Sequence, residues 1–175
     1  MIPSLNTAIE EVLQQGCTFL DGVGDLYDRP LEGSLEASLG AHYRHVLDHF
    51  LCLMEGIRTG HINYDERGRN SLLESSVTQA RLVTERLIDE FRGLSQEILR
   101  RECTVTYSVD YVEGGAERVP SNLAREVMFC VGHAVHHYAI LKLLSAKSEV
   151  ELPCDFGIAP STLRHRLGAE AVERA

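Results

Sequence analysis

From Ser4 to Leu26 the apolar residues Leu5, Ile9, Val12, Phe19, Val23 and Leu26 recur in steps of three and four, with Gly16 in the single gap. That spacing predicts a helix with one buried stripe. Ser4 is placed to cap it, and Asp28-Arg29-Pro30 to end it. A second helix is predicted from about Ser34 to Arg58, with Leu39, Tyr43, Val46, Phe50, Met54 and Ile57 on one face. A third, about Ser71 to Arg101, carries Leu73, Val77, Ala80, Thr84, Leu87, Phe91, Leu94 and Ile98, with Thr84 the one polar interruption. The period then changes to two. Val105, Tyr107, Val109 and Tyr111 alternate with Thr106, Ser108 and Asp110, which reads as a strand. Glu113-Gly114-Gly115 makes a turn, and Ala116 to Val119 returns as a short partner. A lone hairpin is marginal in water, so it must rest on the helices. Ser121 or Asn122 caps a fourth helix reaching about Lys147. It is apolar almost all round and is expected to be the most buried element. The tail, from Leu152, holds Pro153, Pro160 and a short helix starting near Ser161. The pattern predicts an all-α fold: a four-helix bundle with a small β-hairpin between the third and fourth helices.

Composition narrows the class. The chain has 175 residues, 44% hydrophobic and 25% charged, with no linker-like tract, so residues 1–175 are expected to form a single domain. The start, Met-Ile-Pro-Ser-Leu-Asn, shows no basic segment followed by an apolar run, and no uncharged apolar stretch approaches bilayer length. A soluble, cytoplasmic protein with no membrane partner is expected. Five scattered cysteines, an odd number without a C-x-x-C pair, fit reduced thiols in a core. The net charge of −9 and the lack of a basic patch argue against a nucleic-acid partner.

The candidate chemistry lies in histidine. A strip of His42, His45, His49 and Cys52 flanks the apolar face of the second helix. The fourth helix contains Gly132-His133-Ala134-Val135-His136-His137-Tyr138. His133 and His137 are four apart and share a face with Cys130, Leu141 and Leu144, so both turn inward. Two imidazoles can share one metal ion at that spacing. Hydrogen-bonded core histidines have the same spacing, and on spacing alone both readings stand. A third metal ligand must come from another helix, where His42, His45 and His49 are available. The sequence lacks His-Glu-x-x-His, so a zinc-protease reading has no general base. Glu126 lies on the His133 face about two turns earlier, as an outer carboxylate for an imidazole or as part of a surface ion pair. Tyr64, Asp65, Arg67 and Arg69 form either an anion-recognition loop or a salt-bridged one.

Three stretches together resemble the DinB-like (YfiT-type) proteins. They are Gly40-Ala41-His42-Tyr43-Arg44-His45-Val46-Leu47-Asp48-His49-Phe50, Tyr64-Asp65-Glu66-Arg67-Gly68-Arg69, and Gly132 to Tyr138. The resemblance covers most of the chain. It implies an up-down-down-up four-helix bundle and a divalent metal (zinc, nickel, iron or manganese) held by three histidines. Carried across, the ligands are His45, His133 and His137, with His49 the alternative third ligand. The resemblance further implies a metal-dependent hydrolase or a transferase of low-molecular-weight thiols, acting on a small molecule, as a homodimer. His49 and Tyr64 are the candidate acid/base residues. The alternative is a non-catalytic metal-binding or stress-response protein, because the sequence shows no nucleophile–base pair.

Overall fold

The computed structural model describes residues 4–30, 38–112, 114–146 and 150–173, the last five of these by backbone alone. The elements are helix α1 (Leu5–Val23), a 3-10 turn (Gly24–Leu26), α2 (Leu39–Thr59), strand β1 (His61–Asn63), α3 (Ser71–Ser75), α4 (Val77–Arg92), α5 (Gln96–Leu99), β2 (Glu102–Ser108), β3 (Ala116–Asn122), α6 (Leu123–Ser145) and α7 (Pro160–Glu173). α1, α2, α4 and α6 form the bundle: α1 packs on α4 and α6, and α2 packs on α6 and α4. The all-α bundle with a small hairpin is therefore present.

Caps explain most boundaries. The Ser4 hydroxyl accepts from the Thr7 amide and Thr7 reciprocates, a capping box at the start of α1. α1 stops at Val23, ahead of Pro30, because Gly24 takes a positive φ of 51°. The Ser38 hydroxyl caps α2; the predicted start at Ser34 lies outside the described residues. The third predicted helix is three pieces, α3, α4 and the short α5. Ser76 adopts φ −128°, ψ 109°, and its side chain accepts from the Gln79 amide, so it ends α3 and caps α4. This cap favours breaking the chain over continuing an uninterrupted stripe. Asn122, rather than Ser121, caps α6 through the Arg125 amide at 2.9 Å.

The hairpin has a third strand. β1 runs parallel to β2 (Ile62 opposite Val105), and β2 runs antiparallel to β3 (Val105 opposite Val119). β1 follows α2 through Gly60, whose φ of 75° ends the helix in the left-handed region. Fully buried Ile62 sits directly over Gly56 of α2, where any Cβ would collide with it. That close approach fixes the sheet against the second helix.

The core is continuous across the four helices, built on Phe19, Tyr43, Leu47, Phe50, Leu87 and Phe91. Thr84 is fully buried and shares a 2.8 Å hydrogen bond with the Tyr43 hydroxyl, which removes the cost of its polar position. Phe50 contacts Phe91 across the bundle with ring centroids 6.0 Å apart. Replacing Phe50 with Ala should cost about 3–5 kcal/mol, while the exposed Leu82→Ala should cost less than about 0.5 kcal/mol. Urea unfolding of the two variants checks this.

α6 is not buried all round. Met128 is 50% and Leu143 72% exposed on its outer face. It is the one described helix long and apolar enough to cross a membrane by length and composition, yet it packs as a bundle helix against α1 and α2.

Candidate metal centre

α2 and α6 face each other, and their histidines meet at the contact. The His45 ring lies 4.6 Å from His49, 5.0 Å from His133 and 4.6 Å from His137, centroid to centroid. The His133 ring lies 4.0 Å from His49 and 4.5 Å from His137. His45 and His133 are thus the centre of a four-imidazole cluster, with His49 and His137 at its two ends. His42 stands farther out, 6.0 Å from His137, and His136 is exposed at the surface.

The donor atoms converge. Nε2 of His133 lies 3.0 Å from Nε2 of His45. Two nitrogens bound to one ion at about 2.0–2.1 Å stand roughly 2.9–3.4 Å apart for angles between square and tetrahedral. The ligand atoms of His45, His49 and His133 all lie within 4.8 Å of one another. Nδ1 of His49 donates to the His45 carbonyl at 2.8 Å, which puts the proton on Nδ1 and leaves the Nε2 lone pair free. Nδ1 of His137 is buried and has no hydrogen-bond partner. A buried, unpaired imidazole nitrogen is costly unless something else occupies its lone pair, and a metal ion is such a partner.

All four rings are held neutral. Burial, reinforced by the neighbouring His49, His137, Arg67 and His133, lowers the His45 pKa to about 3. Burial also lowers His49, His133 and His137 to about 4; for His49 its bond to the His45 carbonyl opposes the fall. Neutral imidazole is the form that binds metal.

Aromatic rings wall the cluster. Tyr64 stacks on His49 at 5.4 Å, and Phe129 stacks on His133 at 5.8 Å. The Tyr64 hydroxyl turns to the carboxylate of Glu126, donating at 3.1 Å, and lies 3.5 Å from the Cys130 sulfur. Burial, before the Cys130 and Glu126 effects, holds the Tyr64 phenol far above its ordinary range. Its side chain therefore positions His49, and its proton is committed to Glu126. The Glu126 carboxylate also accepts from Ser121 at 2.5 Å and is only 6% exposed, so it is no surface ion pair. Sequence placed Glu126 on the right helix face; its burial under β2 and β3 was not visible there. Glu126→Ala would strand both hydroxyl donors and should cost about 1–3 kcal/mol, read as a lower urea midpoint with α6 still helical.

Among the described residues, hydrogen bonds rather than ion pairs hold the Tyr64-to-Arg69 loop. Among the described residues none of the ion pairs uses Asp65, Arg67 or Arg69. Asp65 instead accepts from the Ser108 amide at 2.6 Å, tying the loop to β2.

No family model matches the chain. Among curated proteins, "FK506-binding protein 5" of Rhizopus delemar is 31% identical over 107 residues, 59% of this chain and 27% of that protein. The chain thus spans about a quarter of the length of the curated relative it matches. Among solved structures, a DinB-like protein (YjoA) from Bacillus subtilis aligns with a TM-score of 0.52 at 17% identity, covering 86% of this chain and 90% of that one. The chain has a DinB-like fold, and its histidine cluster is compatible with a bound metal ion.

Proposed function

We propose that the protein is a metal-dependent enzyme, a hydrolase or a low-molecular-weight-thiol transferase, with a divalent ion held by His45, His49 and His133 and flanked by His137. The observation that carries this reading is the 3.0 Å approach of His133 Nε2 to His45 Nε2 inside a group of four neutral imidazoles. The set expected from sequence, His45, His133 and His137, shares its two central members with this one. Zinc, nickel, iron and manganese are the candidate ions, and imidazole suits the first three best. Bound there, the ion would supply Lewis acidity to a water, a thiol or a carbonyl oxygen. The chain's own residues orient and shield the site. His45 fixes the His49 tautomer through its carbonyl, Glu126 holds Tyr64 against His49, and Phe129 covers His133. The proposal includes a homodimer, which rests on the resemblance to the DinB-like proteins alone.

A second reading rests on His137. With its free Nδ1 as fourth ligand the site would be closed, the mark of a storage or structural site. Chelation separates the two. A catalytic site should lose metal with a fall in Tm below about 5 °C, and a structural one should lose more than about 15 °C. Metal-dependent turnover of thiol acceptors or hydrolysable esters, absent in His133→Ala, supports the enzyme. Metal-loaded protein inert to both panels would support the second reading.

A further inference from the structure

Among the described residues, Arg67 is a charged side chain beside the histidine cluster that keeps a buried donor without a hydrogen-bond partner. It lies in the loop between β1 and α3. One terminal nitrogen, Nη1, donates to the Tyr64 carbonyl at 2.6 Å, which anchors the side chain behind the residue that stacks on His49. Its Nε is buried and has no hydrogen-bond partner. Its charge is felt at His45, His49, His133, Asp48 and Cys52, so the guanidinium lies close to the ligand cluster. The nearby Asp48 carboxylate feels that charge but, among the described ion pairs, makes none with Arg67. Asp48, 2% exposed, is taken by Arg44, whose Nη1 donates to it at 2.7 Å while Nε holds Glu74 at 3.0 Å. A guanidinium is permanently charged, and a buried N–H without an acceptor is costly. Next to a divalent ion that cost grows, because two positive centres would then share a partly dry site.

We propose that Arg67 is the anion-recognition residue of this site and that the substrate is a small molecule bearing a carboxylate. Its carboxylate oxygens would lie on the Nε and Nη2 edge of Arg67 while a second donor group reaches the metal. The planar N–H fork matches a planar carboxylate with two parallel hydrogen bonds, and Nη1 is already occupied on the other side. This inference rests on the metal reading for the second contact alone; the carboxylate contact stands on Arg67.

The test uses two probes and two variants. Protein loaded with cobalt(II) is titrated with mercaptoacetate and with neutral 2-mercaptoethanol, following the visible absorption of the ion. The wild type should bind mercaptoacetate about tenfold more tightly than 2-mercaptoethanol, Arg67→Gln should bind the two alike, and Arg67→Lys should keep only part of the preference. Metal content of each sample is measured first, and circular dichroism confirms that each variant is folded. Unchanged discrimination in metal-loaded Arg67→Gln would overturn the proposal, as would inorganic phosphate displacing mercaptoacetate in an Arg67-dependent way. If cobalt does not load, the carboxylate contact is read without metal. The Nε–H resonance of Arg67, assigned by its loss in Arg67→Gln, should shift when oxalate is added to metal-free protein. An unmoved resonance would overturn the inference on its own.

Discussion

His133→Ala and His45→Ala should each abolish metal binding, from about one ion per chain to less than about a tenth, while the fold survives. These two rings touch every other member of the cluster, and their Nε2 atoms are the pair that meets at 3.0 Å. Removing either leaves its neighbours without a common centre. His49→Ala removes the third proposed ligand, so metal affinity should fall by more than about a hundredfold. His137→Ala removes only the flanking ring and should cost roughly ten- to a hundredfold, the usual range for losing a supporting contact around an ion. Elemental analysis after dialysis gives occupancy, and competition with a chromophoric chelator gives affinity. Loss of metal in His137→Ala as complete as in His45→Ala would make His137 an obligatory ligand.

Metal binding should be nearly insensitive to pH from 7.5 down to about 5.5. Three ordinary imidazoles with pKa near 6.5 must each shed a proton below that value, so affinity would fall roughly a thousandfold by pH 5.5 and further beyond it. Here burial has already lowered His45 to about 3 and His49, His133 and His137 to about 4, so the folded protein presents neutral rings at pH 5.5. The same shifts govern stability without metal. Between pH 6.5 and about 4 the unfolded chain takes up protons that the folded one refuses, so stability is fully present above 6.5 and is lost as pH falls towards 4. The metal-free protein should lose about 10 °C or more in Tm across that window. Competition titrations at pH 7.5 and 5.5 and melting curves from pH 8 to 4 measure both. A thousandfold loss of affinity by pH 5.5 would mean the rings are wetter than their burial indicates.

Periodicity predicted the bundle well, because three amphipathic stripes and one broadly apolar helix leave few other ways to bury Phe19, Tyr43, Phe50 and Phe91. It misread places where a short-range cap outweighs the stripe. Ser76 breaks the third helix by capping the next turn, and Gly24 ends the first before the proline does. β1 was invisible because three residues, His61 to Asn63, show no period; it exists through Gly56, Ile62 and the pairing with β2. The burial of α6 was overstated, since apolar composition does not say which face meets the bundle; Leu143 stays exposed. The candidate site was legible as histidine spacing on two helices. The share of each imidazole was not, because the register of α2 against α6 decides which rings meet. That register sets His45 level with both His133 and His137 and brings His49 onto His133. Glu126 and Arg67 gained their meaning only from burial: one carboxylate satisfied by two hydroxyls, one guanidinium nitrogen satisfied by nothing.

These imidazoles should together hold one divalent ion. The most direct measurement is the metal content of tag-free protein after incubation with zinc, nickel, iron or manganese and removal of free ion, with X-ray absorption at the edge of the retained metal. About one ion per chain is expected, with a shell of three or four imidazole nitrogens near 2.0–2.1 Å if the ion is zinc. Less than about a tenth of an ion per chain with every metal, or a shell of sulfur and carboxylate oxygen, would contradict it.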